Sequence, residues 1–105
     1  MPRPSHGVCS LYIGFQQVVA SSAVKTVADL TVPAKATAVE IQADDQSVRY
    51  TMDDATNPTA DVGMVFLVTE PPKTFLIEDL RRIRFIRGAG SDGNLNFHYL
   101  AGRDV

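Results

Sequence analysis

Side-chain polarity along this chain alternates with a period of two over short stretches, and turn residues cut those stretches apart. The cleanest case is residues 37–43, where Val39, Ile41 and Ala43 point one way and Ala38, Glu40 and Gln42 the other. Successive strand side chains leave opposite faces of a sheet, so this pattern predicts a half-buried strand. Residues 47–52 alternate in the same way, with Val48, Tyr50 and Met52 on one face. The polar link Asp44-Asp45-Gln46 reads as a tight hairpin connection, which predicts that the two strands pair antiparallel.

The rest of the chain extends the pattern. Residues 15–20 read as a first strand and 30–32 as a short one stopped by Pro33. Residues 53–61 have no apolar period and read as a loop. Residues 62–69 are an almost continuous apolar run, expected to be a strand covered on both faces or at a subunit contact, with Met64, Phe66 and Val68 in the core. Residues 74–77, 82–87 and 94–100 read as strands, with a corner at 78–80 and a glycine-rich turn at 88–93. Short links leave no room for crossover helices, so the expected fold is all-β: one antiparallel β-sandwich or jelly-roll-like domain over 15–105, preceded by a flexible N-terminal arm over 1–14.

Composition narrows the function classes. A chain of 105 residues buries roughly 65% of its unfolded surface, enough for one core without a metal or disulfides. With 45% hydrophobic and 21% charged residues it is neither a disordered tail nor a long coiled coil. No window approaches the uncharged apolar length of a membrane span, so no membrane partner is expected. The net charge of −2 argues against binding nucleic acid through a basic field. The single Cys9 cannot form an internal disulfide and fits a reducing compartment. The start, Met1 to His6, lacks the charged and apolar regions of a secretory leader, so secretion is not expected.

The residues offer little catalytic chemistry. Nucleophilic catalysis needs a nucleophile beside a base, and only His6 and His98 are available. His6 lies in the expected arm, and His98 alternates opposite Leu95, Phe97 and Tyr99, so it faces outward. No enzymatic role and no cofactor is expected. The run from Gly88 to Gly93 matches G-x-G-x-x-G in letters but precedes a strand-like alternation, so it reads as a hairpin turn. Asp53, Asp54 and Asp61, with Asn57, offer hard oxygens suited to Ca²⁺ but lack EF-hand spacing. Closing a turn, or pairing with Arg49, is the expected role of Asp53 or Asp54.

Charge is most uneven at Arg81, Arg82, Arg84 and Arg87. Guanidinium forks suit carboxylates on a partner, so Arg82, Arg84 and Arg87 are candidate interface residues, against the plainer reading of a solvated face. Leu11, Tyr12 and Ile13, in the apolar run of the arm, are candidates for adding a strand to a neighbour.

Three motifs carry a resemblance. Val32-Pro33-Ala34-Lys35-Ala36-Thr37, then Val48-Arg49-Tyr50, then Pro58-Thr59-Ala60-Asp61-Val62-Gly63 follow one another in the order V-P-x-x-A-T, V-R-Y, P-T-x-x-x-G. The stretch over about 15–100 resembles small structural proteins encoded by tailed bacteriophages and prophages. Asp53-Asp54-Ala55 departs from the acidic residue followed by glycine that the family carries there. The resemblance implies a virion structural protein assembled in the host cytoplasm, with the major capsid protein, other virion proteins and its own copies as partners. A capsid decoration (cement) protein is the first expectation. Alternatives are a neck or tail adaptor ring subunit, or a non-viral carbohydrate- or ligand-binding β module.

Overall fold

The computed structural model describes the backbone of residues 8–88 and 90–104 and the side chains of 11–88 and 90–102. The strands in chain order are β1 Val8–Ala20, β2 Lys25–Thr26, β3 Ala38–Ala43, β4 Val48–Thr51, β5 Met64–Phe66, β6 Lys73–Leu76, β7 Arg84–Arg87 and β8 Gly93–Asp104. They form two four-stranded sheets, ordered β1-β8-β3-β6 and β2-β7-β4-β5. Every pairing is antiparallel. The only helical elements among the described residues are a 3-10 turn at Val27–Asp29 and one four-residue helix, α1, at Ile77–Leu80. The chain is all-β.

The alternating faces explain the core. Val39, Ile41 and Ala43 of β3 and Leu95, Phe97 and Tyr99 of β8 meet Val48 and Tyr50 of β4, Phe66 of β5 and Phe85 of β7 in one buried cluster. Each large apolar side chain fully withdrawn from water contributes about 1.5–3 kcal/mol. Tyr50 stacks on Phe66 with ring centroids 4.0 Å apart, and Phe75 of β6 meets both rings edge-on.

The expected hairpin between residues 37–43 and 47–52 is not formed. β3 and β4 lie in different sheets, and their apolar faces oppose each other across the core. The link from 44 to 46 is instead tied to β8. The Asp45 carboxylate accepts from the Asn94 backbone N–H at 2.8 Å and from its side-chain amide, and the Asp44 N–H donates to the Asn94 carbonyl. The glycine-rich turn before β8 also passes from one sheet to the other. Gly88 donates its N–H to the Ser47 carbonyl at 2.9 Å, and a Cβ at that position would sit 2.9 Å from the same oxygen.

Three other expectations are corrected. Only Met64–Phe66 of the apolar run 62–69 is strand, and only Phe66 there is buried, while Met64 is 63% exposed. The other sheet packs on one face of β5 only, so Phe66 is the single side chain that reaches the core from this strand. Gly63, at φ +129°, bends the chain before it, and Glu70 closes a turn after it by accepting from the Leu67 N–H. Residues 30–32 are not a strand. Thr26 and Asp29 form a capping box around the 3-10 turn, and Leu30 and Val32 pack on the core from a loop. Arg82 precedes β7 in a turn and does not share a strand with Arg84. Of the segment read as an arm, residues 1–7 lie outside the described residues, and Val8–Gly14 continue β1 against β8, with a register irregularity between Tyr12 and Gly14.

Candidate functional site

Three rows of side chains cross the outer face of the sheet that contains β1. The strand register places Tyr12, Leu100, Ala38 and Leu76 in one row, Phe15, His98, Glu40 and Thr74 in the next, and Gln17, Asn96 and Gln42 in the third. Each strand turns its apolar alternates into the core, so this outer set is what the period of two leaves for solvent. It is nevertheless rich in aromatic and hydrogen-bonding groups.

The irregularity at Ile13 lets Tyr12 lean from its own row onto the next. Its ring stacks on the His98 imidazole with centroids 4.2 Å apart, and Phe15 meets the same imidazole edge-on at 5.7 Å. The Tyr12 hydroxyl donates to both Glu40 carboxylate oxygens, at 3.2 and 3.3 Å. Hydrogen bonding to Glu40 and its negative charge hold the Tyr12 hydroxyl above the usual phenol range. One row further, the Gln17 amide donates to the Asn96 side-chain oxygen at 2.8 Å. Phe15, Glu40, Gln42, Asn96 and His98, with Pro72 from the link before β6, line a shallow hollow of about 100 Å³.

Leu11, Tyr12 and Ile13 lie together on β1 and are exposed, as are Phe15 and Val19 further along the same strand. The arginines lie elsewhere, on or just before β7 in the other sheet. Arg82 is exposed. Arg84 is a clamp on the loop after β4: its guanidinium donates to the Asp54 carbonyl at 3.0 Å, the Ala55 carbonyl at 3.1 Å and the Asn57 side-chain oxygen at 2.7 Å. Arg87 forms an ion pair with Asp92 at 3.0 Å. The sequence candidates therefore fall into two separate groups, and two of the three arginines hold partners within the chain.

The aspartate loop is also spoken for. The Asp53 carboxylate accepts from the Thr56 hydroxyl and from the backbone N–H groups of Thr56 and Ala55. Those donors, the Thr56 hydroxyl first, pull its pKa down to about 2. Asp54 sits at φ +59° and donates its N–H to the Arg82 carbonyl. Asp53 thus closes a turn, as expected, and Arg49 donates instead to the Gly63 carbonyl at 3.0 Å. Among the described residues no group of three His, Cys, Asp or Glu side chains is placed to hold a metal ion.

Sequence reasoning placed Glu40, Gln42 and His98 on outward faces but not next to one another. The missing fact was that β3 pairs with β8, which the expected β3–β4 hairpin concealed. No known protein family, curated protein or solved structure matches this chain.

Proposed function

We propose that this chain is a structural protein of a tailed-bacteriophage virion, a capsid decoration protein that works by adhesion to capsid subunits and to its own copies. The observation that carries the reading is β1. It is an edge strand of 13 residues, VCSLYIGFQQVVA, without one charged residue or proline. The other three sheet edges, β2, β5 and β6, span only 2, 3 and 4 residues. Edge strands are ordinarily blunted by shortness, lysine or proline, because their free N–H and C=O groups recruit further strands. β1 has none of these three, although it carries one register irregularity between Tyr12 and Gly14, and it exposes Leu11, Tyr12, Ile13, Phe15 and Val19 alongside. Such an edge suits strand addition by a neighbour.

The strand order supports the same reading. All connections except β4 to β5 pass from one sheet to the other, which we read as a jelly-roll-like sandwich. The phage resemblance of the three motifs has mechanical sense in this fold. Pro33 packs against Gly14 of β1, and Pro58 is buried beside Gly63, whose own approach to the Tyr50 carbonyl leaves no room for a side chain. Of Arg82, Arg84 and Arg87, only Arg82 makes no guanidinium hydrogen bond within the chain among the described residues, so it carries the charge-pairing role we assign to that face, beside the likewise exposed Arg81. A neck or tail ring subunit would use the same edge in a head-to-tail contact.

The test is co-sedimentation of the purified chain with capsids of the phage that encodes it. The chain is expected to travel with the particles, and the doubly charged variant Leu11→Lys/Ile13→Lys to lose binding at least about tenfold while melting as the parent does. A variant that binds like the parent, or a parent that never travels with particles, overturns the reading.

A further inference from the structure

The outer face of the β1-β8-β3-β6 sheet is built for more than contact between strands, and we infer that it is a binding site for a neutral pyranose glycan. The proposal stands on the side chains of the three rows, whereas the virion reading rests on the backbone edge of β1; Tyr12 and Phe15 are the residues the two share.

A pyranose ring has two kinds of surface. Its C–H groups form an apolar face that packs on aromatic rings, and its hydroxyls, each both donor and acceptor, need planar polar groups in pairs. The face supplies both at adjacent positions. Phe15 is 62% exposed and Tyr12 56%, although aromatic rings on a sheet are usually turned into a core. Tyr12 is held in place by its stack on His98 and its hydrogen bond to Glu40, so it loses little further freedom on binding. Beside these rings the hollow gathers one carboxylate, Glu40, two amides, Gln42 and Asn96, and the His98 imidazole. The Asn96 amide is in turn positioned by Gln17. A few convergent polar groups beside an apolar platform is the general composition of a small-ligand site.

Charge selects the class of sugar. Glu40 is the only acidic side chain in the three rows, and no lysine or arginine stands in them. A uronic or sialic acid would bring a second carboxylate to Glu40 with no lysine or arginine in the rows to offset it, so the face discriminates in favour of uncharged rings. The hollow is shallow and open, which fits one ring of a longer chain, with affinity built from repeated contacts across many copies.

Saturation-transfer NMR with the intact chain tests this, using a panel of neutral trisaccharides (glucose-, galactose-, mannose- and N-acetylglucosamine-based) and a glucuronate-containing trisaccharide. At least one neutral sugar is expected to receive saturation on its ring C–H protons, and the acidic one none. Phe15→Ala is expected to weaken that binding about tenfold, since an aromatic contact is worth roughly that factor. Gln42→Ala, which alters no core residue, serves as the second variant, and thermal melting checks that both fold. Binding to none of the neutral sugars at millimolar concentration overturns the proposal. So does binding of the acidic sugar alone, or a neutral-sugar signal that neither variant changes. If Phe15→Ala abolishes capsid co-sedimentation while no sugar binds, the face belongs to a protein partner and the glycan site is refuted.

Discussion

Replacing Arg84 with alanine separates a structural arginine from an adhesive one. Its guanidinium makes three donations into residues 54–57, to two carbonyls and one amide oxygen. Each such bond is worth about 1 kcal/mol net. Against them stands the buried Nε–H, which has no partner and costs about 1 kcal/mol of the same order. The clamp therefore contributes about 2 kcal/mol. A chain of 105 residues has an unfolding entropy of roughly 220 cal/mol/K near its midpoint, so the loss corresponds to a fall in Tm of about 9 °C. Calorimetry or urea unfolding measures it. Arg84→Lys keeps the charge but not the planar fork, and is expected to lose about 1 kcal/mol. Arg82→Ala, at an exposed turn, is expected to stay within about 0.5 kcal/mol of the parent. Coupling with Asn57→Ala in a double-mutant cycle is expected at about 1 kcal/mol. If Arg84→Ala melts with the parent and the cycle shows no coupling, the clamp argument is wrong and Arg84 returns to the candidate interface.

Gly63→Ala places a Cβ 3.0 Å from the Tyr50 carbonyl oxygen at a positive φ, so chemical denaturation is expected to show a loss of about 2–3 kcal/mol, whereas an unchanged midpoint would mean the bend relaxes freely. Asp53 has a depressed folded pKa of about 2, so it adds stability above the unfolded carboxylate value that is lost as pH falls through about 2; Asp53→Asn is expected to flatten the acid limb of a melting-versus-pH curve, and an identical limb refutes the turn's role. Tyr99, whose hydroxyl donates to Gln16 at 3.0 Å, is pushed up to about 12 by burial. The stability linked to that proton is complete below pH 10 and lost as pH rises towards 12, so Tyr99→Phe is expected to shallow the alkaline decline, and a decline of unchanged slope contradicts it.

How far the sequence reaches can be judged from particular residues. Faces were legible: Val39, Ile41, Ala43, Val48, Tyr50, Leu95, Phe97 and Tyr99 all turn inward as their alternation requires. Partners were not. A short polar link such as Asp44-Asp45-Gln46 serves a hairpin or a crossing between sheets equally well, and the choice was made by the hydrogen bonds of Asp44 and Asp45 to Asn94, some fifty positions away. The run 62–69 misled because apolar content reports hydrophobicity, not coverage: Met64 at the start of β5 and Val68 in the turn after it both lie in solvent. The Tyr12, Phe15, His98 and Glu40 cluster was hidden for the same reason as the strand order. Its members come from three strands, and only the register of β1 and β3 on β8 brings them together.

Amide hydrogen exchange along β1, compared between the free chain and the chain on assembled particles, bears most directly on the assembly role. In the free chain, the amides of residues 14–19 that point away from β8 should exchange quickly, and on particles they should become strongly protected. Exchange at those amides that stays as fast on the particle as in solution, with protection appearing on β7 or nowhere, would contradict an edge made for neighbours.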